Sequence, residues 1–543
     1  MIWPVVSFFK KRERSQVRRM MRGYQVLKRT GRPDRIAAVK RALTEAPLAP
    51  ADTRASSLVL GCGAQAPEIV VRQYLLSRVG GIGLNRALLL ASGVRQGRVA
   101  YHLPKVWREI LVQHGFEVAR FRSAVLWSFY VCAQLLNGVA KIGKILCTAI
   151  TREPEPKPHV YFADLTAANV PREINGAWSH DVISWYLQWP GRAKDVEVVH
   201  HGVADCPAVT VDGTPVVGRG GPLAGLAGIR AVAGYALWGL CAAVIAAFDL
   251  LRGRWWHALL LNQAALASQV RALGPTAIAR AYLFHNSEWI YRPLWTYEAE
   301  RLGSSILFYF YSTNCEPFKK SSGYPELGYG WKAMNWSRYL VWDEHQAEFV
   351  RRAAGAKASI RVVGPIWFQG SAAEPPALGR ATLAVFDVQP VRAAFYRTLA
   401  LDFDYYTPET ANRFLGDICR IVGDCGGSIA LKRKREIGRL AHPSYRHCLQ
   451  ELERRANFVA IDSDLSAFRL IDGCAAVISM PFTSTALLGR EMGKPSVFYD
   501  PHGVLQKNDR AAHGIEIVRG PAELRNWVAA VLADAPLQRV NLA

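Results

Sequence analysis

The chain has 543 residues, too many for one hydrophobic core, so two or three domains are expected. Half of it is apolar, with abundant Trp, Tyr and Phe, and the formal charge of +23 asks for an anionic partner: nucleic acid, an anionic membrane or an anionic substrate. Ten cysteines without C-x-x-C pairs, and without histidines at zinc spacing, exclude a zinc centre of the usual pattern and read as reduced thiols in a cytoplasmic protein.

Residues 1–55 read as a basic arm. Between Lys10 and Arg41 stand thirteen Lys and Arg against two acids, Glu13 and Asp34. Val17, Met20, Met21, Tyr24 and Leu27 recur at roughly helical spacing. Two readings stay open: an amphipathic helix lying on an anionic bilayer, or a solvated basic helix packed on the body. No RNA- or DNA-binding motif accompanies the charge, so nucleic acid is not expected as a partner. The apolar start runs into Lys10-Lys11-Arg12, the wrong order for a secretory signal, and no cleavable signal is expected.

Residues 56–154 read as an α/β or helical extension. Ser57 to Gly63 is a strand ending in a Gly turn, without the G-x-G-x-x-G of a dinucleotide site. Val99 to Leu103 reads as a strand and Lys105 to His114 as a helix. Ser123 to Ile150 is long, apolar and aromatic, with Lys141 and Lys144 near its end, and is a candidate for membrane contact.

Residues 155–359 read as a first Rossmann-like domain, with strands at His159–Ala163, Val196–His201, Ala281–Phe284, Ser305–Tyr311 and Tyr339–Trp342. An apolar helical insertion spans 223–267. Within it, Ala231 to Phe248 carries no charge, yet falls short of the about 20 residues of a spanning helix. A buried or membrane-embedded hairpin helix, paired with Trp255 to Leu266, is expected. The strand at Ile360–Gly364 leads into a second doubly wound domain, 360–543, whose first strand is Thr382–Phe386.

The richest stretch lies in that second domain. Ala475–Ile478 reads as a buried parallel strand. The hydroxyl cluster Ser479, Thr483, Ser484 and Thr485 then opens a helix from Ala486 to Met492, closed by Gly493 and followed by a strand at Ser496–Tyr499. A helix N-terminus with free N–H groups binds phosphate, although Ser and Thr also open helices with no ligand at all. Lys432, Arg433, Lys434 and Arg435 follow the strand Ile429–Leu431, at a carboxyl end that faces the crevice of an open α/β sheet. Alternation sends Lys432 and Lys434 one way and the two arginines the other. Asp387 takes a similar crevice position, or caps the next helix.

Pro481-Phe482-Thr483-Ser484 resembles the motif of the polysaccharide-biosynthesis proteins named for Pro-Phe-Thr-Ser, and more distantly the donor-binding half of GT-B glycosyltransferases. The likeness runs from about Val160 to Gly503, through Asn286-Ser287-Glu288-Trp289 and the Lys/Arg cluster. It implies an α/β fold of two doubly wound, Rossmann-like domains of GT-B type, with the basic, partly apolar N-terminal helical region as an addition. It implies a donor site at Ser479, Thr483, Ser484 and Thr485, with Lys432 and Lys434 facing the leaving phosphate in the family's Lys-x-Lys pattern. It implies that Glu491 bonds the donor ribose. His442-Pro443 resembles the His-Pro motif of transferases using cytidine-monophosphate sugars, where the His assists the leaving phosphate.

A catalytic base belongs across the cleft, and position favours Glu288 over Asp164, Glu298 and Glu300. Asp402 and Asp404 have the spacing of a metal motif but precede a loop, so no metal is expected. The implied activity is transfer of a sugar from a nucleotide-sugar donor, with no separate cofactor, to a lipid-linked glycan at an anionic cytoplasmic membrane face. The rivals are a phosphopolyol transferase and a non-catalytic subunit of an assembly complex.

Overall fold

The computed structural model describes residues 3–30, 35–46, 59–60, 67–149, 157–163, 165, 169–171, 173–174, 177–178, 182–203, 206–285, 291–332, 334–366, 375–398, 405–433, 441–463 and 465–534. In chain order the strands are β1 His159–Phe162, β2 Glu173–Ile174, β3 Ala177–Trp178, β4 Val198–His201, β5 Val209–Val211, β6 Thr214–Gly218, β7 Ala281–His285, β8 Ser305–Tyr309, β9 Arg338–Val341 and β10 Ser359–Val362. A second set follows: β11 Thr382–Phe386, β12 Ser428–Lys432, β13 Phe458–Ile461, β14 Ala476–Ser479, β15 Ser496–Asp500 and β16 Glu516–Arg519.

These strands build two sheets, and β2 and β3 pair as a small antiparallel hairpin apart from them. The first sheet has the order β10-β9-β8-β7-β1-β4-β6-β5, parallel throughout except for β5 at its edge. The second has the order β13-β12-β11-β14-β15-β16, all parallel. In both, the chain starts in the middle, winds outward one way, returns beside the first strand and winds out the other way. That is the doubly wound pattern, and its crevice opens at the carboxyl ends of the two central strands. The central strands β11 and β14 are buried at every residue, as apolar runs with helices on both faces must be.

Two expectations are revised, and one left open is decided. The strand at 359–362 does not lead the second sheet; it pairs with β9 and closes the first. The helix Glu344–Ala354 carries the chain over from β9 and returns it, as a parallel crossover, to the same sheet. Residues 67–149 are helical, at Pro67–Arg78, Ile82–Ser92, Lys105–Gln113 and Arg120–Thr148. The strand expected at Val99–Leu103 is reduced to one bridge, Val99 to Val118, because no second run is there to extend the ladder. Of Ser57–Gly63 only Val59 and Leu60 are described.

The basic arm is a helix, Trp3–Arg29. Met20, Tyr24 and Leu27 are buried in a core shared with Leu84, Leu88 and Leu89 of the helix Ile82–Ser92, so its apolar face is used by the fold while Arg18, Arg19, Lys28 and Arg29 stay exposed. The insertion forms a helix, Ile229–Leu251, that packs on Trp256–Ala277 as expected and also on Arg120–Thr148, which was not.

Candidate functional site

The carboxyl ends of the two sheets meet across a cleft. Beyond β8, the backbone N–H of Thr313 donates to the Ser484 hydroxyl at 3.1 Å. Beyond β9, the Asp343 carboxylate lies 2.8 Å from Nδ1 of His513 in the second domain. Burial pushes the Asp343 carboxyl up, but the hydrogen bond and charge of His513, with the Gln346 N–H, outweigh it and hold the group below its ordinary value. The chain between Thr313 and Tyr324 extends this contact. Lys319 donates its backbone N–H to Asp509 at 2.8 Å, and Arg510 stacks 3.7 Å from the Tyr324 ring centre. Glu316 is buried between Arg352 and Arg510; burial raises its pKa despite both arginines.

In the second crevice, register sets three positions side by side: Lys432 on β12 and Ser479 on β14 both lie opposite Phe386 on β11. Beyond Ser479 the chain turns sharply. Met480 donates its N–H to the Phe386 carbonyl at 2.7 Å, and Tyr406 donates its hydroxyl to the Pro481 carbonyl at 2.9 Å. Phe482 takes φ +65°, a left-handed conformation that costs a residue with a Cβ roughly 1–2 kcal/mol. Its buried ring packs 4.8 Å from Phe318 of the crossing segment and 5.6 Å from Phe498 on β15. Strain held in place by surrounding contacts is characteristic of a functional turn.

The turn delivers the helix Ser484–Glu491 with Thr483 at its N-cap, but the Thr483 side chain makes no cap bond. Its hydroxyl donates instead to the Met480 carbonyl at 2.8 Å. The Ser479 and Thr485 hydroxyls are 2.8 Å apart, and Thr483 and Thr485 3.3 Å, so three hydroxyls form one chain at the mouth of the helix. The first helical N–H groups therefore lack a side-chain cap, at the point where the strand order reverses. The helix lies tight on the sheet: a Cβ on Gly489 would sit 2.4 Å from the Ser496 hydroxyl and 2.6 Å from Val477.

The predicted residues divide. Ser479, Thr483 and Thr485 are brought together at the turn, whereas the Ser484 hydroxyl bonds the other domain. Glu491 ends the helix, about 10 Å from its start, exposed and 3.2 Å from Arg490. Lys432 stands at the sheet rim and donates to the Ser463 carbonyl at 2.8 Å. Lys434 lies outside the described residues. His442 caps the helix Pro443–Leu452, its Nδ1 accepting the Ser444 N–H at 3.3 Å, which leaves Nε2 to carry the proton of the neutral ring. A hollow of about 690 Å³ opens beside it, lined by Thr407, Glu409, Arg413 and Ser444. None of the turn's residues lines it.

Asp387 is the most perturbed carboxyl of the crevice. It follows β11, is buried, and accepts a hydrogen bond from the Tyr445 hydroxyl. Burial pushes it up to about 6, against the pull of Tyr445 and Arg433. Tyr445 was missed in the sequence; its only signal was a place three residues after His442, which puts it on the inward face of the helix that His442 caps.

In the first crevice, between β1 and β7, His285 ends β7 with its ring 5.6 Å from Tyr309 and 5.8 Å from Tyr311. It too escaped sequence reading. Glu288, Asp164, Asp402 and Asp404 lie outside the described residues. Glu298 and Glu300 are committed to ion pairs on the helix Trp295–Arg301: Glu298 is buried 3.0 Å from Arg301 and 3.7 Å from Arg271, and Glu300 lies 2.6 Å from Arg292. Neither is offered as a base.

A sequence model of one family, described as polysaccharide biosynthesis PFTS motif protein, matches residues 238–528. Sucrose-phosphate synthase from Thermosynechococcus elongatus superposes with a TM-score of 0.36 at 11% identity, over 70% of this chain and 92% of that one. UDP-GlcNAc 2-epimerase from Methanocaldococcus jannaschii gives 0.32 at 8%, over 71% and 93%. The glycosyltransferase SnogD from Streptomyces nogalater gives 0.30 at 15%, over 70% and 95%. No curated protein matches the chain. The two strand orders and the facing carboxyl ends, rather than these scores, define a GT-B architecture.

Proposed function

This chain belongs to the polysaccharide biosynthesis PFTS motif family, and from its cleft we propose a metal-independent GT-B glycosyltransferase that moves a sugar from a nucleotide-sugar donor to a lipid-linked surface polysaccharide, of capsule or O-antigen type, at the cytoplasmic membrane face. The observation that carries the donor half is the uncapped N-terminus of the helix Ser484–Glu491 at the switch point of the second sheet. Its N–H groups and the Ser479–Thr485–Thr483 hydroxyls meet a donor phosphate. Charge grows on that phosphate as the sugar leaves, so donors already fixed in place stabilise the transition state more than the ground state.

Lys432 supplies a cation at the same rim by leaving the Ser463 carbonyl, with Lys434 as its partner in the motif. From the cap of its helix, His442 donates a hydrogen bond from Nε2–H to the departing phosphate. Glu491, at the far end of the helix, receives the ribose. The base that removes the acceptor proton comes from the first domain, with Glu288 as the candidate. The acceptor reading draws on the family's link to polysaccharide biosynthesis and on the net charge of +23, which suits an anionic lipid carrier.

The test is a thermal-shift screen of the full chain with uridine, cytidine and guanosine nucleotides. One base should raise apparent stability selectively, by about 2.7 kcal/mol at a hundredfold excess over Kd. No response to any nucleotide would favour a non-catalytic subunit instead.

A further inference from the structure

Two helices, Arg120–Thr148 and Ile229–Leu251, are long and apolar enough to cross a membrane. They lie side by side and antiparallel. At one end Trp127 meets Trp255, just past the second helix, edge to face at 5.2 Å. At the other, Gly225, just before the second helix, sits against the Thr148 carbonyl, where a Cβ would come within 3.2 Å. Midway, Gly239 admits Ile142 and Gly138 admits Leu261; a Cβ at either glycine would lie 2.6 Å from its neighbour. Both helices thus lean on each other and on Trp256–Ala277, itself largely buried.

What they turn outward is apolar. Phe129 is 72% exposed, Leu136 69%, Leu237 65% and Leu240 65%, with Val244 and Phe248 continuing the stripe. From Ser123 to Ala140 and from Ala231 to Phe248 there is no charged residue. Soluble monomers rarely leave so continuous an apolar face to water. The charges lie at the ends. Arg120 and Arg122 share one end with Arg252 and Arg254, and Lys141 and Lys144 share the other with Arg230. The one acid on either helix, Asp249, is buried 2.6 Å from His257.

We propose that the outer faces of these two helices form one lipid-facing slab, which lies in the plane of an anionic bilayer and sinks into one leaflet. A span across the membrane is disfavoured because each helix buries its inner face on Trp256–Ala277, whose Ala267 and Val270 belong to the core of the first sheet. Pulling the pair upright would strip that core. A bilayer fits the face better than a second copy does. A twofold pairing of this face would set basic ends against basic ends, whereas headgroups of anionic lipid complement both. The slab packs on the first domain, so docking would bring that domain closest to the lipid. The inference stands on this surface alone and does not depend on the transferase reading.

The experiment is flotation of the full chain with vesicles of phosphatidylcholine and phosphatidylglycerol, against vesicles of phosphatidylcholine alone. The protein should float with the anionic vesicles, and moderate salt should release only part of it, because screening weakens the basic ends but not apolar insertion. Phe129→Gln, Leu237→Gln and Leu240→Gln should each lower partitioning roughly tenfold, the effect of one large apolar group. These side chains are exposed, and unchanged melting without lipid checks that the variants fold. Complete release of the wild type by moderate salt, or undiminished flotation of a folded triple variant, overturns the proposal. So does a concentration-dependent dimer, without flotation, that the substitutions abolish. The salt arm uses the wild type only and decides the matter even if the variants fail to fold.

Discussion

The backbone N–H of Thr313 donates to the Ser484 hydroxyl at 3.1 Å, and the Thr313 hydroxyl lies 3.1 Å from the same oxygen, so the last residue of Pro481-Phe482-Thr483-Ser484 fastens one domain to the other. The contact is buried. Ser484→Ala leaves the Thr313 N–H unsatisfied and should cost roughly 1–3 kcal/mol. Thr313→Val removes the second bond. Because the two side chains share one interaction, the double variant should cost less than the sum of the singles. Urea denaturation of the four proteins measures it, and strict additivity would break the link.

Phe482 offers a reversal of the usual order of substitutions. Phe482→Ala loses the ring contacts with Phe318 and Phe498 and keeps the strain of φ +65°. Phe482→Gly loses the same contacts but releases the strain. Glycine should therefore be the better-tolerated replacement, by about 1 kcal/mol, with both variants well below wild type. Thermal melts that rank alanine above glycine would show that the turn relaxes.

The Asp387 carboxyl gives a pH dependence with a definite sign. Its folded pKa of about 6 lies above the ordinary 3.8, because burial disfavours its charge. The folded protein then binds the proton more tightly than the unfolded chain does. The stabilisation is complete below the unfolded pKa and is lost as pH rises through about 6. Asp343 runs the other way, since its lowered pKa gives stability that is lost as pH falls. Comparison with Asp387→Asn cancels that background. The stability of wild type relative to the variant should fall by roughly 2 kcal/mol between pH 4 and pH 7. A flat difference across this range would place Asp387 in contact with water.

Much of the fold was legible because it rests on local pattern. The runs at Thr382–Phe386 and Ala476–Ile478 are uniformly apolar, as central parallel strands must be, and the hydroxyl cluster with Gly493 beyond it marks both ends of one helix. Pairings across long separations were not legible. The contact of Ser484 with Thr313 spans 171 residues, and that of Tyr445 with Asp387 spans 58. Charge alone likewise did not reveal that Glu298 and Glu300 answer arginines on their own helix and nearby. The apolar stripe of the basic arm looks the same in sequence whether it faces lipid or protein; only the neighbouring Leu84, Leu88 and Leu89 decide it. The same ambiguity hid the partnership of Arg120–Thr148 with Ile229–Leu251.

The last prediction concerns how the donor phosphate is neutralised. A diphosphate leaving group needs positive charge, from a divalent cation or from the protein. Asp402-Phe403-Asp404 has the spacing of a cation motif, but lies outside the described residues. Lys432 stands at the sheet rim opposite Phe386, which also pairs with Ser479 of the turn, and Arg433 follows it. A diphosphate bound by Lys432 and the helix N-terminus needs no metal bridge. Lys432→Ala should therefore abolish most of the nucleotide-induced thermal shift while altering the melt of the free protein only slightly, because Lys432 bonds the Ser463 carbonyl at a rim that is only partly buried. EDTA should leave both the shift and the transfer rate unchanged. Loss of either with EDTA, restored by magnesium or manganese, would move the burden of charge to Asp402 and Asp404 and leave Lys432 as a structural residue of the β12 rim.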